Sequence, residues 1–173
     1  LHNISLPPYM FHTGVVRAFF CGTLDFDREP DARVRSLRDL RVSSHFLITR
    51  RGGIEQFVSC CARAWHAGAS SFQGRTRVND FSIGIELEGS DFVPFEPVQY
   101  ARLESLLAAI DARFSLQYIV GHSDIAPGRK TDPGPYFDWA LLKAHAARFG
   151  TPAFPGAAAE AFVSSSACRS PSV

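Results

Sequence analysis

Apolar positions recur at helical spacing in one long stretch, residues 97–114, where Tyr100, Leu103, Leu107, Ile110 and Phe114 share a face. The pattern predicts an amphipathic helix. Elsewhere the period is two. Residues 43–49 predict a strand with Phe46 and Ile48 on one side and His45 and Leu47 on the other. Arg51-Gly52-Gly53 predicts a hairpin turn into a returning strand over 54–58. Residues 1–4 read as the end of a buried strand, 81–87 as the clearest central strand and 118–120 as the last one. Residues 15–20 predict a short apolar helix ending near Gly22, and Asp138 predicts the cap of a helix to about Phe149 carrying Trp139, Leu142 and Ala146. Residues 25–39 read as a charged surface loop with a helical turn, and 70–80 as a polar loop rich in Ser, Gly and Arg. Strands interleaved with helices in this order predict an α/β fold, a mixed central β-sheet flanked by helices. After Gly150 the composition shifts to Ala, Ser and Pro, so a domain over 1–150 is expected to precede a flexible tail over 151–173.

Composition narrows the partners. A formal charge of +1 argues against a general nucleic-acid or anionic-membrane binder. No apolar run approaches the ~18–20 residues that span a bilayer. No basic-then-apolar leader is visible, so an exported protein is not expected. Cys21, Cys60, Cys61 and Cys168 form no C-x-x-C pair. A disulfide framework is therefore not expected, and a reducing compartment fits better. Cys21 and one of Cys60 and Cys61 read as small buried apolar residues.

The densest chemistry lies in His122-Ser123-Asp124-Ile125-Ala126-Pro127-Gly128-Arg129-Lys130-Thr131-Asp132-Pro133-Gly134. One short loop, stiffened by Pro and Gly, carries an imidazole, an ammonium and a carboxylate. Far upstream, His2 follows Leu1 in the first strand. His2, His122 and Asp132 together make a ligand set for one catalytic Zn2+, which takes three protein ligands and keeps a fourth position open. Taken singly, Asp132 reads equally well as a cap or turn residue, and His122 as a hydrogen-bonded structural histidine. In Ile83-Gly84-Ile85-Glu86-Leu87-Glu88-Gly89 two carboxylates sit two apart, hence on one strand face. Glu86, deeper in the apolar run, is the candidate proton shuttle, while Glu88 reads as solvated or salt-bridged. Lys130 is a candidate oxyanion stabiliser, although most lysines simply face water. Arg75 and Arg77 could fork onto substrate carboxylates or merely solvate a basic loop. His45 reads as a core histidine with a hydrogen-bond partner, and His12 and His145 as peripheral. His66, beside Trp65, reads either as a group stacked on substrate or as one standing behind the metal ligands.

Five segments together resemble one family. They are His2-Asn3-Ile4-Ser5-Leu6-Pro7-Pro8, Arg41-Val42-Ser43-Ser44-His45-Phe46, Arg63-Ala64-Trp65-His66-Ala67-Gly68, the run from Asn79 to Gly89, and Gly121-His122 through Asp132-Pro133-Gly134-Pro135. The chain resembles the AmpD family of 1,6-anhydro-N-acetylmuramyl-L-alanine amidases, within the wider amidase_2 and peptidoglycan recognition protein superfamily, from residue 1 to about 149. The resemblance implies a mixed sheet flanked by helices and a zinc amidase site. It assigns His2, His122 and Asp132 as zinc ligands, Glu86 as acid/base and Lys130 as oxyanion stabiliser. Asn3, Arg41, Arg77 and Ala126 match positions that contact the muropeptide. The implied reaction is cytoplasmic hydrolysis of the lactyl–L-Ala amide of anhydromuropeptides during peptidoglycan recycling, with indirect control of β-lactamase induction where that circuit exists. The substrate is a small-molecule muropeptide, with no nucleic acid, membrane or obligate protein partner implied. Ser44 and Asp132 stand where phage-type relatives carry Tyr and Cys, which points to the AmpD branch. Family members also carry a segment before the position of His2, so the domain over 1–150 is expected to lack its N-terminal part. Two other readings stand beside this one: an amidase on intact cell wall, and a binding-only module.

Overall fold

A computed structural model describes residues 1–145 and 152–154. Its elements are β1 (His2–Ile4), α1 (Val15–Phe20), α2 (Ala32–Arg35), β2 (Phe46–Ile48), β3 (Ile54–Gln56), β4 (Ser71–Phe72), β5 (Arg75–Thr76), a 3-10 turn (Val78–Asp80), β6 (Ile85–Glu88), α3 (Pro97–Phe114), α4 (His122–Ile125) and α5 (Trp139–Ala144).

The main sheet has the order β1-β6-β2-β3. β6 runs parallel to both β1 and β2, and β3 returns antiparallel to β2, so the sheet is mixed as the sequence predicts. Register places His2 opposite Glu86, and Glu86 opposite Leu47. Period-two alternation then divides β6. Ile85 and Leu87 join Phe46 and Ile48 in the larger core, under Leu103, Leu107 and Ile110 of α3 and Leu142 of α5. Leu47 turns the other way, to Leu6, Val16 and Val34 beneath α1 and α2. Each fully buried aliphatic side chain contributes roughly 1.5–3 kcal/mol. The α3 face is thus the stable backing on which the opposite row, His2 and Glu86, is mounted.

α3 begins where the sequence says it should. Pro97 stands at the first helical position, and the Glu96 N–H donates to Gln99 Oε1 at 3.0 Å. The buried Gln99 amide also donates to Glu88 O at 3.0 Å and Ile48 O at 3.3 Å, locking the helix to the ends of β6 and β2.

Three expectations change. Residues 118–120 form no strand of the sheet: Tyr118 makes a single bridge to Ala153, while Leu1 N–H donates to Val120 O and His122 N–H to Leu1 O. That segment follows the edge of β1 without a ladder long enough to be a strand. Residues 70–80 are not an open loop but a small hairpin, β4–β5, turned at Gln73-Gly74. Cys21 is exposed, not buried, and Cys21, Cys60 and Cys61 are all free thiols. The expected end of the last helix near Phe149 and most of the expected 151–173 tail, residue 151 and residues 155–173, lie outside the described residues; Phe154, within that tail, packs edge-on against Trp139. No helix among the described residues is long and apolar enough to cross a membrane.

Candidate functional site

The loop after residue 120 closes on itself. Ser123 N–H donates to Asp132 O at 3.0 Å, and the Gly121 N–H donates to Asp124 Oδ2 at 2.6 Å. The two ends, His122 and Asp132, therefore meet, and Leu1 hydrogen-bonding on both sides of residue 121 brings His2 beside them. His2 Nδ1 lies 2.8 Å from Asp132 Oδ2 and 3.0 Å from His122 Nδ1, and the third edge, His122 Nδ1 to Asp132 Oδ2, is 3.0 Å.

The chemistry of this donor set suits a cation. His122 Nε2 stands 3.0 Å from Ala67 O, which can only accept. Nε2 therefore carries the ring proton, and Nδ1 turns its lone pair to the triangle. Three electron-rich atoms then face one another with at most one proton to bridge them. A metal ion at their centre removes that repulsion. The edges are close to the ~3.3 Å expected between ligands on a tetrahedral ion with ~2.0–2.1 Å bonds.

Burial drives the His2 pKa down to about 3, against the raising influence of the adjacent Asp132 carboxylate, so the ring is neutral and able to ligate. Burial alone would raise Asp132, but the close approach of the His122 and His2 rings outweighs it and holds the carboxyl below its usual range. Glu86 goes the other way. Burial and then the Asp132 charge push it well above the ordinary carboxylate value, and Lys130 partly opposes them. Its Oε2 is buried and meets no hydrogen-bond donor among the described residues.

The fold thus brings His2, His122, Asp132, Glu86 and Lys130 into one neighbourhood. Asn3, Lys130 and Asp132 line a groove of about 420 Å³ that also carries Tyr9, Asp91 and Phe92. Asn3 donates to Asp91 Oδ1 at 2.7 Å and to Pro133 O at 3.1 Å, which ties β1 to the ligand loop. Ala126 is buried, and its carbonyl accepts from the Arg129 and Lys130 N–H groups at 3.1 Å. Two of the residues carried over by resemblance lie at the surface. Arg41 is exposed and donates to Arg38 O, and Arg77 is exposed and paired with Asp80 at 3.0 Å. A larger cavity of about 740 Å³ backs His2 and His66 with mostly apolar side chains. The groove, where charged groups converge, is the better candidate for chemistry.

Some residues were not legible as functional. Asp91 fixes Asn3 and accepts from Thr131, the neighbour of Asp132. The only sequence signal for it is Gly134, which has φ +89 and where a Cβ would stand 2.3 Å from Asp91 Oδ1. Arg129 Nη2 clamps Ala67 O at 2.9 Å and Ala69 O at 2.7 Å, with no signal in the sequence. His66 resolves as the group behind the ligands: its Nδ1 is 3.0 Å from His2 Nε2. His45 is the core histidine expected, bonded to Ala62 O and the Gly84 N–H.

Comparison with known proteins agrees with this geometry. The Amidase_2 family model, described as N-acetylmuramoyl-L-alanine amidase, matches residues 10–135. The 1,6-anhydro-N-acetylmuramyl-L-alanine amidase AmpD of Citrobacter freundii is 49% identical over 146 residues, covering 83% of this chain and 77% of that protein. A crystal structure of a selenomethionine derivative of AmpD superimposes with a TM-score of 0.77 at 48% identity, over 83% of this chain and 80% of that one. The Escherichia coli amidase AmiD, solved with anhydro-N-acetylmuramic acid-L-Ala-D-gamma-Glu-L-Lys, gives 0.57 at 42% identity, over 71% and 53%. Sequence and fold agree, and the chain belongs to the Amidase_2 family of N-acetylmuramoyl-L-alanine amidases.

Proposed function

We propose that this amidase is zinc-dependent and hydrolyses the amide joining the lactyl group of 1,6-anhydro-N-acetylmuramic acid to the L-Ala of its stem peptide, in cytoplasmic peptidoglycan recycling. The observation that carries the reading is the convergence of the His2, His122 and Asp132 donor atoms beside the unpartnered carboxyl of Glu86. Similarity to AmpD supports the substrate class. In a bacterium whose chromosomal β-lactamase is induced by such muropeptides, the same reaction removes the inducer.

His2, His122 and Asp132 would hold the ion, two neutral imidazoles and a carboxylate leaving a net positive site. When bound, zinc supplies an activated water and polarises the scissile carbonyl. Glu86 removes a proton from the attacking water and delivers it to the departing L-Ala amine. Its buried oxygen, facing no competing donor, is free for both transfers. Lys130 steadies the negative charge growing on the carbonyl oxygen. Asn3 and Ala126 position the substrate in the groove, and Arg41 and Arg77 take its carboxylates at the periphery.

The test is mass-spectrometric detection of free stem peptide from a 1,6-anhydromuramyl tripeptide, with zinc-loaded protein, with and without chelator. Chelator-sensitive release is expected. Folded, zinc-loaded protein that releases nothing contradicts the reading.

A further inference from the structure

The Trp65-His66-Ala67-Gly68 segment runs behind the donor triangle and meets the outer nitrogen of both imidazoles. It is held in place from three sides. Buried Asn79 accepts through Oδ1 from the His66 N–H at 3.1 Å and the Ala67 N–H at 2.8 Å. Arg129 clamps the Ala67 and Ala69 carbonyls. Gly84 makes room for the His66 ring, since a Cβ there would stand 2.4 Å from its Cγ.

For His122 the outer nitrogen meets Ala67 O at 3.0 Å; Arg129 Nη2 lies further off at 3.4 Å with its two protons directed at Ala67 O and Ala69 O, so Nε2 donates to the carbonyl. For His2 the outer partner is another imidazole, which could be protonated on either nitrogen. Hydrogen bonds further out remove that ambiguity. Ser82 Oγ lies 2.7 Å from Val78 O, an atom that can only accept, so the hydroxyl proton points there. Oγ is left to accept from His66 Nε2, 3.4 Å away, a long bond. His66 then carries its proton on Nε2 and offers the Nδ1 lone pair. His2 Nε2, 3.0 Å from that lone pair, donates to it, and His2 Nδ1 is left bare toward Asp132 and His122. A backbone carbonyl thus sets the proton position two rings away.

We propose that His66 is a positioning residue of the metal site: with Ser82 it holds His2 in the tautomer that presents the Nδ1 lone pair to the ion. The inference rests on the zinc reading given above. Outer partners of metal-bound histidines typically change metal affinity by about 10–100-fold when removed.

The experiment measures zinc affinity of the full chain by competition with a chromophoric chelator, for wild type, His66→Leu, His66→Gln and Ser82→Ala. Nitrogen-15 NMR of the zinc-loaded wild type reads the His2 ring directly. His66→Leu should bind zinc about 10–100-fold more weakly. His66→Gln, whose side-chain carbonyl can accept from His2 Nε2, should recover most of that loss. Ser82→Ala should weaken zinc less than His66→Leu does, because the ring remains but its proton is no longer directed. The NMR spectrum should show His2 protonated at Nε2. Should His66→Leu fail to fold, Ser82→Ala and the NMR spectrum still decide. A folded His66→Leu that binds zinc like wild type, or a His2 ring protonated at Nδ1 in the zinc-loaded protein, overturns the proposal. Wild-type protein that takes up no zinc overturns the zinc reading itself, and that result is seen before any variant is made.

Discussion

Glu86 and Glu88 stand two residues apart on the same face of β6, both buried, yet the protein treats them in opposite ways. Glu88 is satisfied at both oxygens: Oε1 accepts from the His12 N–H at 2.6 Å and Oε2 from the Arg50 N–H at 3.0 Å. It anchors two loops to the strand end. Glu86 Oε2 is equally enclosed and has no donor among the described residues, and its neighbour Asp132 is another acid. Leaving a buried carboxyl unpaired costs stability, so it persists only where something else requires it. Burial therefore does not separate the proposed acid/base from the structural acid. Hydrogen-bond satisfaction does.

The largest effect expected around this pair comes from the metal side. Asp132→Ala takes away the anionic corner of the donor triangle and should abolish both zinc uptake and stem-peptide release, measured by metal analysis and mass spectrometry on the folded variant. Zinc retained at wild-type affinity would remove Asp132 from the donor set.

A smaller effect should distinguish the two acids by stability. Glu88→Gln keeps one acceptor but sets an amide NH2 against a backbone N–H. It should lose about 1–3 kcal/mol in denaturant unfolding. Glu86→Gln breaks no hydrogen bond at Oε2 and should cost little. Equal losses in the two variants would erase the distinction.

The smallest effect depends on pH. In zinc-free protein the folded pKa of Glu86 lies above its ordinary value of 4.5. The folded state then binds the proton more tightly than the unfolded chain, so this contribution to stability is present below about pH 4.5 and is lost as pH rises through the raised folded value. Wild type should therefore lose stability relative to Glu86→Gln as pH climbs from acid to neutral, and the two should converge at acid pH. Thermal unfolding across that range checks the sign. Loading with zinc should shrink the difference, because a nearby cation favours the carboxylate.

How far the sequence reaches follows from how local each signal is. α3 is legible to its ends because a helix period and a Pro97 start are properties of contiguous residues. The His122–Asp132 loop is legible because both groups lie ten residues apart on a chain stiffened by Pro127 and Pro133. The β4–β5 hairpin is missed since two-residue strands carry no period. Residues 118–120 look like a strand because they are apolar, but a strand needs a ladder, and the backbone pairing of Tyr118 among the described residues is an isolated bridge to Ala153. Glu86 is distinguishable from Glu88 only by depth in the apolar run; that Glu88 is fully satisfied depends on His12 and Arg50, distant in sequence. The same holds for His66, whose meaning comes from His2 across 64 residues. Arg41 and Arg77 are exposed and bonded to Arg38 O and to Asp80.

The most direct measurement compares wild type and Glu86→Gln at matched zinc content, following free stem peptide from a 1,6-anhydromuramyl tripeptide. If Glu86 moves the proton, the variant should hold as much zinc as wild type and release peptide about 10²–10⁴-fold more slowly. Equal zinc with equal release would contradict the account.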